Sequence, residues 1–162
     1  MDTGSIRSKA TWVAGCTFFL SLLVAIPCSG WNGVRDEMPL DAQAIAQLEQ
    51  KANQANPREQ CYLYVQLIHS MTEAAGRQIL NGEYEQAAAT MKKTEHYAQL
   101  IHAGLARDTK RLKDAEKLME HTTARLNEYL RHSSGDDRLA MQATLKQLDG
   151  VHDELLTQVF SH

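Results

Sequence analysis

Proline is absent from the last two-thirds of this chain. Its three prolines are Pro27, Pro39 and Pro57, and none follows from Arg58 to His162. A stretch this long without the main helix breaker, and rich in Ala, Leu, Gln, Glu and Lys, predicts an all-α fold. Aromatics are scarce, at two Trp, three Phe and five Tyr. Neither sign of charge dominates, with 17 Lys plus Arg against 20 Asp plus Glu. That balance removes the global electrostatic basis for nucleic-acid binding, and no such partner is expected. The length of 162 residues suits one domain once a targeting segment is set aside.

Chemical motifs are missing too. A di-iron bundle needs Glu-x-x-His on two helices, and none occurs; Asp149-Gly-Val-His152 has the spacing once, with Asp. There is no His-Glu-x-x-His, no Cys-x-x-Cys and hence no Cys-x-x-Cys-His for covalent haem, and no Gly-x-Ser-x-Gly. The seven His are scattered, with His96 and His121 off the apolar seam described below. The six Met read as core filling. No cofactor, metal or catalytic residue is therefore assigned, and a non-catalytic role is expected.

What the chain does have is an exportable start. Arg7 and Lys9 form a short positive region. A mostly apolar run extends from Thr11 to Ile26 and is ended by Pro27. Cys28-Ser29-Gly30 places small residues before a cut between Gly30 and Trp31. This is the layout of a secretory signal peptide over 1–30. The run falls short of the roughly 20 residues of a bilayer span, and no charge cluster stops it. The alternative is a membrane anchor formed by retained residues 11–27. Val13-Ala14-Gly15-Cys16 has lipobox residue types but precedes the apolar run. Cleavage removes Arg7, Lys9 and Asp2, leaving 15 basic against 19 acidic residues. It also leaves Cys61 as the sole cysteine, which in an oxidising compartment is either buried or open to an intermolecular disulfide.

Residues 31–40 (WNGVRDEMPL) have no period and read as a flexible leader to a helical domain over 41–162. Asp41 can cap a first helix at 42–55, with Ile45, Leu48, Ala52 and Ala55 on one face. Asn56-Pro57-Arg58-Glu59 predicts the start of a second helix over 57–81, with Glu59 as a capping-box acid and Asn81-Gly82 as its stop. Cys61, Val65, Ile68, Thr72, Ala75 and Ile79 form its stripe, widened by Leu63, Leu67, Met71 and Ala74.

Between 83 and 132, Tyr84, Met91, Ala98, Leu105, Leu112, Met119 and Leu126 recur every seven residues. A weaker row comprises Ala87, Thr94, Ile101, Asp108, Ala115, Thr122 and Tyr129. The unbroken register predicts one central helix with a coiled-coil-like seam and flanking helices packed on it, three to four helices in all. The alternative is an up-down-up-down four-helix bundle broken near Gly104. His132 to Asp137 reads as a turn, followed by a last helix to about 160 with Met141, Leu145, Leu148, Leu155 and Val159 inward. No repeat is assigned: GEYEQAAATMKK (82–93) has the glycine, aromatic and alanine order of a tetratricopeptide second helix, but no second copy lies about 34 residues away.

His69, Glu73 and Arg77 fall at successive four-residue steps and form a polar line, read as a solvated ladder or an interhelical contact. The basic residues of RDTKRLKDAEK (107–117) are diluted by acids and read as a solvated face. The expected function is that of an exported periplasmic or secreted helical protein, an interaction, scaffold or chaperone-like protein of the bacterial envelope, with a protein partner or self-association. Two alternatives remain: a bundle holding a small ligand, haem or metal in its interior, and a membrane-anchored accessory subunit.

Overall fold

The structure is a computed structural model that describes residues 42–105 and 109–161. The expected signal peptide, the Gly30–Trp31 junction, the leader, the Asp41 cap and the heptad position Asp108 lie outside them. Among the described residues the fold is all-helical. The five helices are α1 (Ala42–Gln54), α2 (Pro57–Leu80), α3 (Tyr84–Gly104), α4 (Leu112–His132) and α5 (Gly135–Phe160).

The helix ends follow local chemistry. The Asn56 side chain accepts the Arg58 N–H at 3.0 Å, and Pro57 takes the first helical position, where it needs no N–H partner. Glu59 does not close a capping box. Its carboxylate instead accepts from Lys110 Nζ at 2.9 Å. α2 stops at Asn81-Gly82, where Gly82 adopts φ 78°, a value that costs a glycine nothing. The Glu83 N–H then reaches back to the Gln78 carbonyl at 2.8 Å.

The continuous helix over 83–132 does not form, and five helices stand where three to four were expected. α3 ends at Gly104, and α4 starts only at Leu112. The break is held by tertiary contacts. The Lys110 N–H donates to the Arg58 carbonyl at 2.8 Å, and the Arg111 guanidinium lies 3.7 Å from the centre of the Tyr62 ring. Arg111 itself is left-handed, with φ 58°, and its Nε donates to Asp114 at 2.9 Å. The chain thus turns back onto the start of α2. Folding back lets Met119 and Leu126 bury completely within the same chain, each by about 1.5–3 kcal/mol relative to exposure. The seven-residue seam is accordingly no coiled-coil surface. Met91, Ala98, Met119 and Leu126 are core residues, and Tyr84 is exposed.

α2 packs against α1, α3 and α4, and α5 packs against α3 and α4. Contacts fix the directions. His69, Glu73 and Gly76 of α2 meet Thr122, Arg125 and Tyr129 of α4 in the same order, so those helices run parallel. Glu95 and His102 of α3 likewise meet Thr144 and Glu154 of α5. Two antiparallel hairpins, α2–α3 and α4–α5, therefore lie side by side with like helices adjacent. α1 is tied to this frame by Ala52, which is fully buried, and by Glu49, which accepts the Tyr97 hydroxyl of α3.

Gly76 makes the α2–α4 contact possible. A β-carbon there would lie 2.3 Å from two atoms of the Tyr129 ring. The ring cannot swing away without breaking its hydroxyl bond to Glu73. Gly76→Ala is expected to cost about 2 kcal/mol in urea unfolding. Gly150→Ala, where a β-carbon meets open space in a helix, is expected to gain about 0.5–1 kcal/mol.

Candidate functional site

The densest polar cluster among the described residues lies between α2 and α4. Glu73 is its centre. Its carboxylate accepts Arg125 Nε at 2.8 Å and the Tyr129 hydroxyl at 2.7 Å. Arg125 Nη2 also donates to the Tyr129 oxygen at 2.9 Å, and the guanidinium reaches Glu128 as well. One turn earlier, His69 Nδ1 lies 3.1 Å from Thr122 Oγ1, and the His69 ring is tilted against His121 with centres 5.4 Å apart.

Burial alone would raise the Glu73 carboxyl. The bonds from Arg125 and Tyr129, with the charges of Arg125 and His69, outweigh it and hold the group below the usual carboxylate range. The same bond to Glu73 raises Arg125, and burial followed by the Glu73 bond raises the Tyr129 phenol. These groups stabilise one another's resting charge. Glu73, Arg125 and Tyr129 are each shifted toward the form they hold at neutral pH, and together they serve as an interhelical clamp.

The polar line read from the sequence divides here. His69 and Glu73 meet at this clamp. Arg77 lines a different place, a groove of about 400 Å³ between α1, α2 and α3, with Ile45, Met71 and Ala74 as apolar walls and Lys93 opposite. Arg125, Tyr129 and Thr122 were not read as partners of that line. Tyr129 and Thr122 stood in the weak second row of the seam, and their polar character was the available signal.

Cys61 is 4% exposed, and loss of hydration pushes its thiol up to about 12. Such a thiol is scarcely ionised at neutral pH and is shielded from a second chain. Of the 107–117 segment, Lys110 and Arg111 are engaged on α2 through Glu59 and Tyr62. Other polar ties cross the remaining interfaces: His102 to Glu154 at 2.6 Å between α3 and α5, and His152 to Glu116 at 3.2 Å between α5 and α4. Among the described residues no group of three or more His, Cys, Asp and Glu is arranged to hold a metal ion.

Glu73 binds its proton less readily folded than unfolded. The stability it confers is therefore present above the ordinary glutamate value, near pH 4.3, and drains away as pH falls through the lower folded value. Glu73→Gln is expected to cost about 2 kcal/mol at pH 7 and progressively less in acid. Urea titrations of both proteins from pH 7 to pH 3 check this. For Cys61, an aromatic disulfide reagent is expected to react with the folded domain at least tenfold more slowly than with the urea-unfolded chain.

Comparison with protein-family models, with curated proteins and with solved structures gives no match in any of the three.

Proposed function

We propose that the protein works by contact, as an exported interaction, scaffold or chaperone-like helical protein of the bacterial envelope. The observation that carries the contact role is the distribution of exposed apolar side chains. Leu80 and Tyr84, 65% and 52% exposed, flank the turn between α2 and α3. Leu139, 64% exposed, sits near the start of α5. Parallel packing of the two hairpins brings these helix ends to one end of the molecule. Phe160, 81% exposed, and Leu156 lie at the far end of α5, so large apolar groups stand in water at both ends, and such groups are a common mark of a surface that meets another protein. Stacked helix pairs commonly serve such roles.

Export rests on residues 1–30, with Arg7, Lys9 and the apolar run to Ile26. No described helix is long and apolar enough to cross a membrane. A second reading, a small-ligand carrier, draws on the groove beside Arg77, whose volume of about 400 Å³ falls in the range of ligand sites.

One experiment addresses both halves. A photo-crosslinking residue at Leu80 or Leu139, expressed in the native cell, is expected to give a discrete adduct, and one at the exposed Lys113 none. Intact mass of the recovered protein is expected to lack residues 1–30. Equal labelling at all three positions would defeat the contact reading. A retained N-terminus would replace export by anchoring.

A further inference from the structure

Among the described residues two arginines are half-buried, Arg125 and Arg77, and they differ in one respect. Arg125 is paired with Glu73, Glu128 and Tyr129. The Arg77 side chain has no hydrogen bond and no ion pair to any described residue. A guanidinium partly withdrawn from water and given no acceptor carries an unmet desolvation cost. An anion that reached it would recover that cost, and a carboxylate matches its fork with two oxygens.

Arg77 lines the groove of about 400 Å³ between α1, α2 and α3. The other polar groups there are unequally engaged. Gln78 and Thr90 are bonded to each other across α2 and α3 at 2.9 Å. Glu49 accepts the Tyr97 hydroxyl. Glu83 is exposed at the start of α3 and forms no ion pair with either cation of the groove. Lys93 is the second cation, and it too has no partner among the described residues. Beside these groups stand the apolar walls, Ile45 of α1 with Met71 and Ala74 of α2. Apolar walls with a few polar groups in a volume of this size are the ordinary make-up of a small-molecule site.

On the carrier reading of this groove, we infer that it takes a single-chain amphiphilic carboxylate, with the head on Arg77 and the chain along Ile45, Met71 and Ala74. Each methylene that leaves water along those walls adds about 0.8 kcal/mol. Lys93 is exposed and adds long-range attraction for the head. The contact role is independent of this assignment.

The test uses the full chain, stripped of bound lipid on a hydrophobic resin, with decanoate, decanol and decylamine, each below its micellar concentration. Calorimetry is expected to show one decanoate per chain, bound at least tenfold more tightly than decanol or decylamine. At saturation the Met71 methyl signal is expected to shift and that of Met141, which does not line the groove, to stay. Arg77→Gln breaks no bond within the fold, so its circular dichroism is expected to match the native chain. It is expected to weaken decanoate at least tenfold and to leave decanol unchanged. Lys93→Gln is expected to weaken decanoate by no more than about fivefold, and Lys92→Gln, outside the groove, to leave it unchanged. Decanol or decylamine binding as tightly as decanoate, with the Met71 shift, would overturn the carboxylate and leave the carrier reading standing. Undiminished decanoate binding in Arg77→Gln would overturn the assignment of the head. No binding of any of the three by the native chain would overturn both the carboxylate and the carrier reading.

Discussion

The two hairpins are registered on each other by the seating of Tyr129 against Gly76, with its hydroxyl on Glu73. A ring can approach the α2 backbone this closely only because position 76 has no side chain. Once seated, the phenol donates a hydrogen bond to a half-buried carboxylate that Arg125 also pairs with. The polar groups and the steric gap thus act as one joint. Hydrophobic burial on its own is directionless and would tolerate other alignments of α4 along α2. The joint selects one alignment, in which the same helix of each hairpin lies beside its counterpart.

Much of this was legible in the sequence. The proline-free tail and the periodic apolar positions foretold an all-helical chain, and Asn56-Pro57 and Asn81-Gly82 marked the ends of α2 to within a residue. The central helix was misread for a definable reason. The connection from Leu105 to Arg111 has seven residues, the length of one heptad. A break of that length leaves the seven-residue register intact, so periodicity could not distinguish a straight helix from a folded one. Gly104 was the only local hint. The deciding contacts, Lys110 on Arg58 and Glu59 and Arg111 on Tyr62, join residues about fifty positions apart, and no local pattern reports them.

The site was legible by half. His69 and Glu73 stood out because their spacing put them on one face of α2, but that spacing offered Arg77 as the third member. The structure supplies Arg125 and Tyr129 from another helix. The second row of the seam looked poor because it held threonines and a tyrosine. Those residues are buried: Thr94 and Thr122 are inaccessible, and their hydroxyls bond to carbonyls of their own helices. A helix can carry a buried threonine at little cost when its backbone accepts the proton. Judging the row by polarity alone therefore undervalued it.

The heptad length of the 105–111 connection bears on assembly. Straightening it would rotate no side chain off its face, since α3 and α4 already share one register. The faces that α4 and α5 offer to α2 and α3 would be unchanged and could be met by another molecule as readily as by their own. The closed monomer and a hairpin-exchanged dimer would be built from one set of interfaces, and what separates them is the connection and the concentration of chains. Arg111 belongs to that balance. Its left-handed backbone is unfavourable in itself, and its seat on Tyr62 offsets the cost only in the closed form.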